Sequence, residues 1–160
     1  MVRWAEKSEL PGLVAVELAA DALFEQVGIV FPPGTTQIEE VHDPGAVLVE
    51  GEPPVGFALV GRVDGNLHLE QLAVRPDHMR QGIGGRLMAA VLDHAAAAGA
   101  PAVTLTTFRD VPWNAPWYER HGFSVMAGER WGPELRALVR QERDLGIEVA
   151  PRVVMHRPSA

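Results

Sequence analysis

Residues 80–86 read Arg80-Gln81-Gly82-Ile83-Gly84-Gly85-Arg86 and join two segments with different hydrophobic patterns. Residues 67–74 before them alternate as a β-strand does, and apolar residues after them recur at helical spacing. A helix N-terminus carries unpaired backbone N–H groups and a partial positive charge, and glycines let an anion approach those groups closely. The sequence therefore predicts a phosphate-binding site where a helix begins near Ile83.

Two common phosphate-binding loops do not match this spacing. A P-loop requires Gly, four residues, Gly-Lys and then Ser or Thr, and the chain contains no such run. A dinucleotide-binding fold requires G-x-G-x-x-G directly after a strand. Here Leu87 occupies the third glycine position, and the proline-containing segment 75–78 separates the strand from the loop. Both loop types are excluded by spacing.

Residues 79–84 resemble the cofactor-binding motif of the GCN5-related N-acetyltransferase (GNAT) family, which is written R/Q-x-x-G-x-G/A. Met79 stands where the family favours Arg or Gln, and Arg80 is displaced from that position by one. Two further segments match in the family's order. Residues 72–76 read Leu-Ala-Val-Arg-Pro, and residues 114–123 place an Asn and then a Tyr shortly before Gly-Phe.

Hydrophobic periodicity and turn residues predict helices and strands that interleave along the chain. Helices are predicted over residues 8–26, 83–99, 114–121 and 133–145, with a loop at 31–35. Strands are predicted over residues 47–50, 55–63, 67–74, 102–107, 123–126 and 152–156. The early strands are joined by short turns, so the expected fold is a mixed α/β (α+β) sheet, mostly antiparallel, with helices on both faces. The resemblance implies in addition that this sheet is splayed.

Composition narrows the class of protein. A chain of 160 residues predicts a single domain over residues 1–160. The absence of cysteine excludes disulfides and thiolate metal sites and fits a cytoplasmic location. We expect no signal peptide and no membrane span. The net charge of −7 disfavours a nucleic-acid partner, and the six histidines show no compact metal-ligand spacing.

The resemblance implies that acetyl-coenzyme A is the cosubstrate. Its pantetheine arm would pair with the backbone of the strand at 67–74, and the N–H of Leu72 would polarise the thioester carbonyl. Asn114 would either hydrogen-bond the pantetheine or cap the helix that follows it. The implied cofactor-binding residues are Leu72, Ala73, Val74, Arg80, Gln81, Gly82, Ile83, Gly84, Gly85, Arg86, Asn114 and Tyr118.

Three side chains are candidates for acid–base chemistry. His68 and Glu70 share one face of the predicted strand. Glu70 is the better candidate for the base that accepts the proton of an ammonium substrate, and His68 is its rival. Each could instead be a polar residue on a solvated strand face. The resemblance makes Tyr118 the general acid that protonates the leaving thiolate, although the ring could merely pack under the next strand.

The expected function is an N-acetyltransferase that moves the acetyl group directly from acetyl-coenzyme A to an amine. The absence of cysteine supports direct transfer, since the commonest acyl-enzyme nucleophile is missing. The alternative is an acetyl-coenzyme A sensor with little catalysis. No G-x-S-x-G motif indicates a serine hydrolase.

The acceptor amine is not identified by the sequence. A small-molecule amine or a peptide amine would enter beside the first helix, residues 30–40 and residues 127–135. Glu39, Glu40 and Asp43 either attract a cationic amine there or are solvated loop charges. A homodimer is expected only at the level of the family.

Overall fold

The computed structural model describes residues 1–32 and 37–159 of the chain. Over these residues it contains seven strands and four α-helices, with short 3-10 turns between them. The strands are β1 (Val2–Trp4), β2 (Val47–Glu50), β3 (Gly56–Val63), β4 (Asn66–Val74), β5 (Ala102–Phe108), β6 (Ser124–Val125) and β7 (Arg152–Pro158). The helices are α1 (Leu10–Asp21), α2 (Ile83–Ala97), α3 (Ala115–Arg120) and α4 (Pro133–Asp144).

The strands form one sheet in the order β1-β2-β3-β4-β5-β7-β6. The pairs β1–β2, β2–β3, β5–β7 and β6–β7 are antiparallel, whereas β4 and β5 are parallel. The β4–β5 ladder comprises two residue pairs, Leu67 with Val103 and His68 with Thr104. Both strands continue beyond it, β4 to Val74 and β5 to Phe108. The predicted mixed, mostly antiparallel and open sheet is confirmed.

The described residues divide into two compact units. The first covers Met1–Val30, residues 37–61 and Leu69–His94. The second covers residues 31–32, Arg62–His68 and residues 95–159. A single domain over residues 1–160 stays a prediction.

In the first unit, α1 and α2 lie on opposite faces of β2 and β3. Leu13 and Val16 of α1 share a core cluster with the alternating residues Val47, Val49, Phe57 and Leu59. Gly56 points to the other face, where a Cβ on it would lie 3.1 Å from Ile83 Cγ2 of α2. Side chains alternate along a strand, so Phe57 and Leu59 lie on one face of β3 and Gly56 on the other. The helices α1 and α2 therefore cover different faces. The predicted arrangement of helices on both faces is confirmed here.

In the second unit, α4 covers the sheet through Leu135, which packs with Val63 and Val154. The turn between β3 and β4 caps this helix. The Asp64 carboxylate accepts the N–H groups of Glu134 (2.9 Å) and Leu135 (3.0 Å), so two of the unpaired donors at the helix start are satisfied.

Several predicted boundaries differ from the structure. The helix predicted over residues 8–26 is α1 followed by 3-10 turns to Val27, where Gly28 ends the segment with φ 77°. Strand β1 was not predicted, because three residues on a sheet edge are too few to show periodicity. Residues 33–35 of the predicted loop lie outside the described residues.

Two neighbouring carboxyl groups on α1 are protonated more readily than usual. Glu17 is 2% exposed, and its carboxylate accepts the N–H groups of Gln37 (3.0 Å) and Ile38 (3.1 Å). Burial raises the pKa of Glu17. Burial, and then the charge of Glu17, raise the pKa of Asp21 to about 7.

We predict that Asp21→Asn stabilises the protein in a pH-dependent manner. Asp21 titrates at 3.8 when unfolded and at about 7 when folded, so the folded state holds a proton that the unfolded state has lost between these values. Wild-type stability therefore falls as the pH rises through this window. The advantage of the Asn variant should grow from pH 4 to pH 7 and then stay constant.

Urea unfolding at several pH values measures this advantage. Glu25→Gln, at an exposed position on the following turn, is the charge control. An advantage of Asp21→Asn that is the same at pH 4 and pH 8 would contradict the assignment.

Candidate active site

The start of α2 presents backbone N–H groups to an anion. The Arg86 N–H donates to the Gly82 carbonyl oxygen at 3.0 Å, which is the first i to i−4 bond of the helix. The N–H groups of Ile83, Gly84 and Gly85 come before it, so they have no acceptor within the helix. This end of α2 carries the positive pole of the helix dipole.

The loop before α2 has positive φ at two positions. Arg80 has φ 65° and Gly82 has φ 78°, on either side of Gln81. Left-handed residues are a feature of the backbone nests that bind anions. Arg80, Gln81 and Gly82 are exposed, so the loop is accessible to a ligand. A non-glycine residue with positive φ is uncommon and marks a constrained loop.

The Arg86 side chain contacts the protein's own acceptors. Its Nε and Nη2 atoms donate to Glu50 at 2.7 Å and 2.6 Å, and its Nη1 donates to the Gln81 carbonyl oxygen at 3.0 Å. The sequence prediction that Arg86 is one of the cofactor-binding residues stays a prediction.

Strand β4 is joined to this loop by the 3-10 turn Pro76–His78 and has an unpaired edge. Beyond His68 it makes no further ladder pair with β5 in the described part of the chain, although it runs to Val74. Leu72, Ala73 and Val74 therefore lie in the stretch of β4 that follows the end of this ladder. A strand edge of this kind can pair with an extended ligand.

Glu70 lies on β4 over a glycine of the neighbouring strand. A Cβ on Gly61 would lie 3.0 Å from Glu70 Oε1 and 3.2 Å from its Cδ. Burial of the carboxylate raises the pKa of Glu70, although part of the residue is exposed to solvent. Sequence reasoning missed Gly61, but an isolated glycine in a predicted strand is a known signal of close approach.

His68 is buried, with 2% of its surface exposed, and its Nδ1 lies 2.8 Å from Thr104 Oγ1. Burial lowers the pKa of His68 to about 4. The imidazole is neutral at physiological pH and is a weak proton acceptor. A general base works best with a pKa near the operating pH, so the direction of the two shifts favours Glu70 over His68.

Tyr118 lies on α3 in the second unit and packs edge-to-face on Trp117 and Phe123, with ring centroids 5.2 Å and 5.8 Å away. Burial raises the pKa of the Tyr118 phenol, and the positive charge of Arg152 opposes the shift only in part. The hydroxyl group therefore keeps its proton at neutral pH, as a general acid must.

Asn114 does not cap α3 with its side chain. It occupies the position before the helix, but its Oδ1 accepts from Thr107 Oγ1 at 2.8 Å and from the Phe108 N–H at 3.3 Å. Asn114 is the residue before the helix, as the alternative expected, but its carboxamide oxygen fixes the start of α3 to β5 instead of capping the helix N–H groups. The expected contact between Asn114 and a ligand stays a prediction.

One of the acidic residues expected to attract an amine, Asp43, has a structural role in a turn. The Asp43 side chain accepts the N–H of Gly45 at 2.9 Å, which closes a turn before β2. This turn explains the role of Asp43 without any contact to an acceptor amine.

A buried polar cluster in the second unit was not predicted. The Arg152 Nη2 donates to Thr106 Oγ1 at 3.0 Å, and that hydroxyl donates to Glu142 Oε2 at 2.9 Å. The guanidinium lies over the Phe108 ring, 4.6 Å from its centroid. Burial raises the pKa of Glu142 and lowers that of Arg152. The cluster joins β5, α4 and β7, so no local pattern reveals it.

Comparison with known proteins decides the family. Residues 13–123 match the family model described as "Acetyltransferase (GNAT) family". The chain belongs to this family. The GNAT resemblance read from residues 67–126 is confirmed.

Individual GNAT proteins are similar over different shares of their length. The uncharacterized N-acetyltransferase YjcF of Bacillus subtilis (strain 168) is 31% identical over 97 residues, which are 59% of this chain and 67% of YjcF. The N-acetylglutamate synthase of Neisseria gonorrhoeae, solved with coenzyme A and N-acetyl-glutamate, superposes with a TM-score of 0.70 at 19% identity. That match covers 100% of this chain but 35% of the synthase.

A third protein matches over nearly its whole length. The ribosomal-protein-S18-alanine N-acetyltransferase of Escherichia coli has a TM-score of 0.67 and 19% identity, covering 100% of this chain and 94% of that one. The two solved structures show that the fold is shared.

The GNAT match ends at residue 123, before α4 and β7. It includes the N–H groups of residues 82–85 at the start of α2, which we call the cradle, and it also includes Glu70, His68 and Tyr118. In the Arg152 cluster, Glu142 and Arg152 lie on α4 and β7 outside the matched region, whereas Thr106 and Phe108 lie within it. In the described residues, no cluster of three or more His, Cys, Asp or Glu side chains could hold a metal ion, and no helix is long and apolar enough to cross a membrane.

We predict that Gly61→Ala lowers the pKa of Glu70 toward its ordinary value. The new methyl group would meet the end of the Glu70 side chain at 3.0 Å, and the carboxylate would move outward into water. Desolvation, the cause of the raised pKa, would then weaken. A ¹³C NMR titration of the Glu70 carboxyl group measures the change.

Gly12→Ala is the matched control, since a Cβ there would meet nothing within 4 Å. An unchanged Glu70 titration in Gly61→Ala would show that Gly61 does not govern the carboxylate.

Proposed function

We propose that this chain is an acetyl-coenzyme A-dependent N-acetyltransferase that transfers the acetyl group directly to an amine in a ternary complex. The proposal rests on the loop with positive φ at Arg80 and Gly82, which leads into the N–H groups of α2 that have no acceptor within the helix. This anion site follows an unpaired edge of β4 in a chain of the GNAT family.

The cradle and the strand edge suit different parts of one ligand. We assign the pyrophosphate of coenzyme A to the N–H groups from Gly82 to Gly85, where charge and hydrogen-bond donors coincide. The pantetheine arm, an extended amide chain, would pair with β4 near Leu72 and Val74. The Leu72 N–H would then polarise the thioester carbonyl, a contribution typically worth roughly 10²–10³ in rate.

Glu70 and Tyr118 supply the proton transfers. Glu70 removes a proton from the ammonium group of the acceptor, directly or through water. The amine nitrogen then bonds to the thioester carbonyl carbon, and the carbon–sulfur bond breaks. The departing thiolate takes the phenolic proton of Tyr118, and the amide product loses its remaining extra proton to water. The raised pKa of Glu70 moves toward the operating pH and supports its role as the base. The phenol of Tyr118 is protonated at neutral pH and so has a proton to give.

The acceptor is an amine of a small molecule or a peptide. The structural neighbours include one enzyme named for an amino-acid product and one named for a ribosomal-protein alanine. The chain's net charge of −7 favours a cationic acceptor of either kind.

The function is tested by thiol release from acetyl-coenzyme A across a panel of amino acids, polyamines and peptide N-termini. The chain has no cysteine, so a thiol-reactive dye gives no background from the protein. We expect release that depends on one class of amine. Silence together with a raised melting temperature on adding acetyl-coenzyme A would favour the sensor alternative. Silence without a thermal shift would refute the cosubstrate assignment.

We predict that Tyr118→Phe lowers kcat by about tenfold or more and leaves coenzyme A affinity nearly unchanged. The variant keeps the buried ring but removes the proton that the thiolate takes. Steady-state kinetics and calorimetric titration separate the two effects. Trp117→Phe perturbs the same aromatic contact without removing an acid, and it serves as the control. Unchanged turnover in Tyr118→Phe would remove this residue from the acid role.

A further inference from the structure

An ion pair connects the end of β2 with the first turn of α2. Glu50 is 7% exposed, and both of its carboxylate oxygens accept hydrogen bonds from Arg86, at 2.7 Å and 2.6 Å. A bidentate pair of this kind fixes the plane and direction of the guanidinium group. Arg86 is therefore held in place by the end of β2.

The third nitrogen of the same guanidinium holds that loop. Arg86 Nη1 donates to the Gln81 carbonyl oxygen at 3.0 Å, and a Cβ on Gly82 would lie 3.0 Å from this nitrogen. All three guanidinium nitrogens thus have an acceptor within the protein. A side chain at Gly82 would push against Arg86, so the glycine permits the contact.

The bond to Gln81 sets the direction of the next N–H group. In a trans peptide the C=O and the following N–H point in opposite directions within one plane. Since the Gln81 oxygen points toward Arg86, the Gly82 N–H points away from Arg86. The left-handed residues Arg80 and Gly82 on either side of this peptide provide the backbone turn.

We propose that Glu50 and Arg86 are positioning residues that hold the phosphate loop in its binding form and are not themselves phosphate ligands. This inference rests on the proposed function, in which the loop takes the pyrophosphate of coenzyme A. The two side chains act through the Gln81–Gly82 peptide. Their net charge as a pair is zero, so the positive potential for the anion comes from the backbone N–H groups.

Direct phosphate binding by Arg86 predicts the opposite response to loss of Glu50. If Arg86 binds phosphate, removal of the carboxylate that competes for its guanidinium would free it for phosphate. Removal of a negative charge near the anion site would tighten binding further. A positioning pair predicts weaker binding, because the loop loses its support. The direction of the change in Glu50→Gln therefore separates the two roles.

The experiment measures the affinity for coenzyme A of wild type, Glu50→Gln, Arg86→Gln and the double variant by calorimetry. We expect each single variant to bind about tenfold or more weakly, since small misplacements of binding groups have effects of this size. The double variant should bind no more weakly than either single one, because the two residues act as one unit. Glu52→Gln, an exposed carboxylate two residues away, is the charge control.

Acetyl-pantetheine, which lacks the pyrophosphate, distinguishes positioning of the loop from general damage. The KM for acetyl-coenzyme A should rise in Glu50→Gln, whereas the KM for acetyl-pantetheine should equal that of wild type. If Glu50→Gln is unfolded at the assay temperature, Arg86→Lys takes its place with the same expected split, because a lysine cannot reach three acceptors at once. An equal rise for both donors would overturn the inference.

Failure of this inference differs from failure of the proposed function. If wild type binds no coenzyme A, the proposed function fails and the positioning role falls with it. If wild type binds and Glu50→Gln binds equally well or more tightly, the positioning role alone is overturned.

Discussion

The N–H groups at the start of α2 have no acceptor within the helix, so this end of α2 offers hydrogen-bond donors to an anion. Arg80 and Gly82 have positive φ on either side of Gln81. The guanidinium of Arg86, which is paired with Glu50, donates to the Gln81 carbonyl oxygen. Because β4 ends just before this loop, an anion bound there would carry any attached chain along the strand edge.

Burial assigns different chemical characters to the candidate acid–base residues. The same desolvation raises the pKa of Glu70 and of Tyr118 but lowers that of His68, because it always disfavours the charged form. Glu70 thereby becomes a better base and Tyr118 remains a protonated acid, whereas His68 becomes a poor base. From the sequence alone Glu70 was the better candidate and His68 its rival, since both lie on one face of the predicted strand.

Local signals in the sequence predicted most of the fold and the location of the cradle. The glycines at 82, 84 and 85, the alternation along β4 and the apolar periodicity of α2 are all properties of short segments. What could not be predicted depends on tertiary contacts. The partner of Arg86 lies 36 residues earlier in the chain. The Arg152 cluster needs α4 to lie against β5, and the role of Asn114 depends on where β5 ends. Strand β1 was missed because it is held by its pairing with β2 and has no pattern of its own.

The central claim is that the backbone at the start of α2 binds the phosphates of coenzyme A. It is tested most directly by ¹H–¹⁵N NMR of the 17.3 kDa chain during titration with acetyl-coenzyme A. We expect the largest shifts on the amides of Gly82, Ile83, Gly84 and Gly85, with Leu72 shifting at the strand edge. Binding that leaves the resonances of these glycines unchanged would contradict it.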